Sequence, residues 1–157
     1  MHIAQFNFAR LRLPIDDDAN KGFRDGSAVI SRISERSAGF VWVYESTGPH
    51  GTMNPPVWND PMLAINLSVW KTLPTLEYFV YNTLHKSYLQ RKGTWFEETD
   101  EPTMVLWWVQ PDHRPTVDEA MDRLAMLKAD GATERAFDWP FARQTYGSIM
   151  LLEICVN

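Results

Sequence analysis

The stretch MLAINLSVW, residues 62–70, alternates strictly enough to read as a β-strand, and its neighbours on either side decide the fold. One side carries Leu63, Ile65, Leu67 and Val69; the other carries Met62, Ala64, Asn66, Ser68 and Trp70. Upstream lies GFVWVYE, residues 39–45, β-branched and aromatic throughout and therefore a second strand. Between the two, STGPHGTMNPPVWND has the Gly, Pro and Asn content of a long loop, and long loops inside a domain tend to be functional or mobile. Downstream, Thr72 is a fitting N-cap, with Pro74 tolerated in the first turn. The spacing predicts one helix from about Leu73 to about Lys92, stopped by Gly93.

Working outward, HIAQFNFARL at residues 2–11 alternates as well. His2, Ala4, Phe6 and Phe8 share one side, and Ile3, Gln5, Asn7 and Ala9 the other. After the turn chemistry of LPIDDDANKG, Phe23, Val29, Ile30 and Ile33 recur at helical spacing within FRDGSAVISRISERS, despite Gly26 in the middle. Gly39 ends that helix. TMVLWWVQ is a fourth strand. TVDEAMDRLAMLKADG is an extra helix, with Thr116 and Glu119 as its capping box, Gly131 as its stop, and Ala120, Leu124 and Leu127 as its apolar stripe.

Strand, helix, strand, strand, helix, strand is the order of the split βαβ arrangement. The expected subunit is α+β, with a ferredoxin-like βαββαβ sheet whose first and third strands are central and whose two helices share one face. Residues 1–139 form its single domain, and residues 140–157 are a tail packed on it or extended. Both sheet faces carry large apolar groups, so the face without helices calls for cover. A second copy, sheet against sheet, is the expected cover, making a homodimer.

The totals narrow the function classes. Fifteen Lys+Arg against twenty Asp+Glu give a net charge of -5, which argues against a general nucleic-acid binder. Cys155 is the single cysteine, which excludes an internal disulfide framework and a cysteine zinc cluster; it reads as a small apolar residue in a near-terminal strand. MHIAQFNFARLRLP lacks the apolar core of a signal peptide, and Ile149–Val156 is broken by Glu153 and too short to span a bilayer. The expectation is a soluble, cytoplasmic protein without membrane partners.

Seven Trp, eight Phe and five Tyr put rings in the core, an interface or a pocket. On the helix from residue 73 to 92, Leu73, Leu76, Phe79, Val80, Leu84 and Ser87 share the sheet-facing side. Tyr78, Tyr81, His85, Tyr88 and Lys92 form a second stripe, too aromatic for solvent and too polar for a plain core. The extra C-terminal helix with the tail AFDWPFARQTYG, a partner subunit or a ligand are its three candidate covers. His85 is either a hydrogen-bonded structural histidine or a group that ligates metal or haem or moves a proton. Lys92 is either a cation favoured by a helix C-terminus or an anion-binding group.

A second constellation lies on the sheet. If the first and third strands are neighbours with matching sides, Gln5 and Asn7 meet Asn66, Ser68 and Trp70. Side-chain amides hold a carbonyl or an oxyanion without titrating. Alternatively they bond one another across a dimer seam. Glu97, Glu98, Asp100 and Glu101 read as a solvated acidic turn, and HExxH, Gly-rich phosphate-loop and GxSxG patterns are absent from the sequence.

NLSVW, TLEYFVYNTLHKSYLQRKGTWFE, EPTMVLWWV and HRPTVDEAMDRLAMLKADG, with HIAQFNFARLRLP and GFVWVYE, together resemble a bacterial family known as a domain of unknown function, DUF 3291-like, over residues 1–139. That family is similar to the dimeric α+β barrels, which include antibiotic-biosynthesis and haem-degrading monooxygenases. The resemblance implies a paired-sheet dimer with a pocket between helix and sheet for a small apolar or aromatic molecule. It implies further a monooxygenase-like enzyme acting without a cofactor, with Asn66 and Trp70 beside the substrate. Taken with the ring content and the convergent amides, the leading expectation adds His85 or Tyr81 transferring a proton. Trp95 would be a second wall, Asn7 with Gln5 and Ser68 would orient polar groups, and Lys92 would lie at the site's edge. A haem-binding protein that uses His85 is one alternative. A dimeric, non-enzymatic sensing or interaction module is the other.

Overall fold

The computed structural model describes residues 1–45 and 60–155, with side chains to residue 147. Of the long loop expected over residues 46–61, residues 46–59 lie outside the described residues. The chain runs β1 (His2–Arg10), α1 (Lys21–Arg36), β2 (Phe40–Val43), β3 (Leu63–Trp70), α2 (Leu73–Asn82), α3 (His85–Trp95), β4 (Met104–Val109), α4 (Val117–Asp130) and α5 (Trp139–Cys155). The sheet is antiparallel in the order β2-β3-β1-β4, so β1 and β3 are the central pair of a ferredoxin-like α+β fold.

Strict alternation in β1 and β3 works because each central strand is buried on both faces, and each face has its own cover. On one face Ala4, Phe6, Ile65, Leu67, Val69, Val105, Trp107 and Val109 meet Val117, Ala120, Leu124 and Leu127 of α4. Leu67 and Val69 are fully buried there, each worth roughly 1.5–3 kcal/mol of hydrophobic stabilisation. Trp107 donates its indole N–H to Glu119 Oε1 at 3.0 Å, and His113 Nε2 lies 2.6 Å from the other oxygen of that carboxylate. Thr116 Oγ1 accepts from the Glu119 N–H, so one capping residue starts α4 and orients the carboxylate that ties it to the sheet. The sheet face expected to need a second copy is thus covered across its centre by the chain's own α4.

The opposite face carries α1, α2 and α5. Ile3, Trp70, Leu106 and Phe137 pack there against Leu73, Leu76 and Phe79 of α2, Ile30 and Ile33 of α1, and Trp139 and Ala142 of α5. Thr72 caps α2 through Thr75 N–H, as its sequence predicts.

Three local expectations change. The single helix over residues 73–92 is two helices, α2 and α3, with Thr83 extended between them (φ -116°, ψ -174°). The Thr83 hydroxyl donates to the Phe79 carbonyl at 2.7 Å and accepts from the His85 N–H at 3.2 Å, closing one helix and opening the next. Gly93 lies inside α3, which continues to Trp95. Cys155 ends a helix rather than a strand.

Candidate functional site

The register of β1 on β3 pairs Gln5 with Ser68 and Asn7 with Asn66, on the face under α1, α2 and α5. Trp70 donates its indole N–H to Ser68 Oγ at 3.1 Å, and Ser68 Oγ in turn donates to Gln5 Oε1 at 3.2 Å. Gln5 Nε2 then donates to Asn7 Oδ1 at 2.6 Å, while Asn66 Oδ1 lies 3.4 Å from Ser68 Oγ. Gln5, Ser68 and Trp70 are buried, and Asn7 and Asn66 only partly so. This polar row separates two apolar clusters on the same face. On one side stand Ile3, Trp70 and Leu106; on the other Ala64 packs with Leu11, Ile15 and the partly buried Phe23, Met62 and Phe96. Met104, paired with Asn7 on β4, borders the open end of the row.

A column of rings rises from Trp70. Phe40 meets it edge-on at 5.5 Å between centroids, and Phe79 stacks on it at 4.9 Å. His85 packs on the far side of Phe79 at 5.1 Å, with its Nδ1 3.2 Å from the Val80 carbonyl. Burial lowers the His85 pKa from the ordinary 6.5, and the Val80 carbonyl only partly offsets this. The imidazole is therefore neutral near pH 7, with Nδ1 carrying the proton toward Val80 and Nε2 holding the lone pair.

The remaining expected residues scatter. Tyr81 lies under the C-terminal segment, edge-on to Trp139 at 5.6 Å and 5.1 Å from the guanidinium of Arg143. Trp95 is buried among Tyr88, Phe23 and Gly22, with Arg91 over its ring at 5.0 Å. Lys92 is exposed in the last turn of α3, and Tyr78 is exposed on α2. The second stripe has no common cover: the C-terminal segment takes Tyr81, α1 takes Tyr88, and His85 turns onto Phe79. So Gln5, Asn7, Asn66, Ser68 and Trp70 come together, His85 connects to them only through Phe79, and Tyr81, Trp95 and Lys92 stand elsewhere. Two contributors escaped the sequence reading, Phe79 as the bridge and Gly26 as the seat of Tyr88. A glycine in mid-helix is the one signal that pointed to the second.

The family model described as Domain of unknown function (DUF3291) matches residues 2–148. The chain belongs to this family. This DUF3291 chain is also similar to a solved structure described as "Putative antibiotic biosynthesis monooxygenase from Nitrosomonas europaea". That likeness stands at 13% identity and a TM-score of 0.45, covering 62% of this chain and 82% of that one. Among curated proteins none matches the DUF3291 chain.

Chemically, the row offers hydroxyl, indole and carboxamide groups and no titratable one. Among the described residues no group of three or more His, Cys, Asp or Glu is placed to hold a metal ion, and no helix is long and apolar enough to cross a membrane.

Proposed function

We propose that this DUF3291 chain binds a small, mostly apolar or aromatic molecule over the polar row, with the amides of Asn7 and Asn66 fixing its polar group. One observation carries the reading: a hydrogen-bonded row of five polar side chains lies between two apolar clusters and reaches the surface at its Asn7–Asn66 end. Apolar walls with a few convergent polar groups are the usual make-up of a small-molecule site. The test is a fragment screen read by 1H–15N correlation spectra. Binders should move the signals of Gln5, Asn7, Asn66, Ser68 and the Trp70 indole together; hits that perturb only other surfaces would remove the reading.

Cofactor-independent oxygenation remains the reaction class that the resemblance implies. Asn66, at the open end of the row, is suited to it; Trp70 is less so, being fully buried under Phe79 with its indole N–H given to Ser68. His85 is less so, because Phe79 stands between it and Trp70, and Tyr81 less again, being engaged by Trp139 and Arg143.

One observation favours haem as a second reading. A histidine whose Nδ1–H is held by a backbone carbonyl presents a neutral Nε2, the form that ligates metal. His85 would be the residue that holds the haem iron. Hemin titration should then give a Soret shift that His85→Ala abolishes, and an unshifted band in the wild type removes haem.

A non-enzymatic sensing role would use the same row, with turnover the distinguishing measurement. A homodimer remains proposed, through the part of the sheet that α4 does not cover.

A further inference from the structure

We infer that the polar row is a one-way donor site that takes the acceptor oxygen of an uncharged ligand, a ketone-like carbonyl or a phenol, through the carboxamide N–H groups of Asn7 and Asn66. The inference rests on the binding reading above and adds the chemistry of the group recognised. An indole N–H donates and cannot accept, so the Trp70–Ser68 bond at 3.1 Å has one direction. Ser68 then has one hydrogen to give, and Gln5 Oε1 at 3.2 Å is nearer than Asn66 Oδ1 at 3.4 Å. With its oxygen so used, Gln5 turns its Nε2 to Asn7 Oδ1. Each carboxamide oxygen therefore looks back toward Trp70. What the row presents at its partly buried end is N–H: the Nδ2 groups of Asn7 and Asn66, which have no protein partner among the described residues.

These two residues are cross-strand partners on one face, close enough for both to reach a single oxygen. Along β1 and β3 and on β4 their flanks are uncharged: Ala9 and Ala64 form the next pair along the strands, and Met104 and Leu106 stand beside them on β4. On the β2 side the nearest charge among the described residues is the exposed Glu45, two residues on from Val43, the partner of Ser68. A carboxylate would find donors but no cation and would face the charge of Glu45, while an ammonium would meet only donors on Asn7 and Asn66 themselves, so both lose hydration there. The amine probe below reads any pull from Glu45. A neutral oxygen on an apolar body fits. Turning Gln5 and Asn7 over together would make Ser68 accept twice and would put an oxygen from Asn7 at the open end. That is the competing arrangement.

Three matched probes separate the cases on the full chain: 1-indanone, indane and 2-aminoindane. By 1H–15N titration, 1-indanone should bind about tenfold more tightly than indane, with the amine weaker still, and should move the Asn7 and Asn66 NH2 signals. Asn7→Asp, the same size with donor replaced by acceptor, should lose that preference; Asn66→Ser serves the same purpose if the first variant folds poorly. In the free protein, the Asn7 and Asn66 NH2 protons should exchange with water faster than those of Gln5. Binding without preference for the ketone, preference for the amine, or a protected Asn7 NH2 overturns this inference and leaves the binding reading standing. If none of the three probes perturbs the row, the binding reading fails and the inference with it.

Discussion

At Gly26 the backbone of α1 approaches α3 so closely that a methyl group there would overlap the Tyr88 ring. Tyr88 is itself stacked on Trp95 at 6.0 Å, so the ring has little freedom to retreat. Gly26→Ala should destabilise the fold by about 1–3 kcal/mol, the usual range for overpacking. Replacing Tyr88 with Ser in the same chain should cancel the clash, so the two changes are non-additive in urea unfolding. Equal and additive losses would mean that the contact does not limit packing.

His85 gives the second prediction at this scale. Its folded pKa is lowered from 6.5 by burial, so the unfolded chain binds the proton more readily than the folded one. Stability from this group is whole above the unfolded pKa and falls as pH drops from about 6.5 toward the folded value. Chemical denaturation across that window should show the slope in the wild type and a flatter one in His85→Phe. At the residue scale the sequence was most legible in the strands. Period-two alternation put Gln5 and Asn7 on one side and Asn66 and Ser68 on one side, and the central β1–β3 pairing then joined them. The partners of His85 and Tyr88 were not legible, because they depend on where three separate helices come to rest.

Among the elements, the break between α2 and α3 had almost no signature. Apolar and aromatic residues continue at helical spacing from Leu73 through Tyr88, and periodicity does not register a hydroxyl that bonds the carbonyl four residues back. Asn82-Thr83 was the only local hint, since both residues favour caps and turns over helix interiors. A break there redirects α3, which explains why the second stripe is divided. The docking of α5 is a separate matter of charge and rings. Arg143 bonds Glu77 Oε1 at 2.8 Å and lies over both Tyr81 and Trp139, joining α5 to α2. Glu77 raises the Arg143 pKa through its hydrogen bond, which keeps the guanidinium charged at any working pH. Arg143→Ala should cost about 1 kcal/mol, because a partly exposed ion pair and surface cation–π contacts are each small. Its larger effect should be local: amide hydrogen exchange should accelerate across α5 and leave β1 and β3 unchanged. Uniform acceleration would mean that α5 unfolds only with the whole domain.

For the molecule as a whole, the four strands and the stripe of α4 were readable, but which face α4 would take was not. Amphipathic spacing says that a helix must be covered, not by what. By packing on β4 and joining one cluster with Leu67, Val69 and Trp107, α4 takes part of the apolar area that pointed to sheet-to-sheet pairing. What it leaves is at the β2 side, where a register irregularity between Phe40 and Trp42 sets both Val41 and Trp42 against the same cluster as Tyr44, all three partly buried. A stable interface needs roughly 1,200–2,000 Å² in total, with an aromatic centre and a polar rim. Trp42 and Tyr44 are the rings at hand for that centre. A homodimer built there should run at dimer mass by light scattering at micromolar concentration, and Trp42→Glu should convert it to monomer. Because Trp42 and Tyr44 both touch the core, Tyr44→Glu is made alongside and a thermal melt of each variant separates loss of pairing from loss of fold. A wild-type chain that stays monomeric under those conditions would mean that α4 alone completes the sheet and that the row between Trp70 and Asn7 works within a single copy.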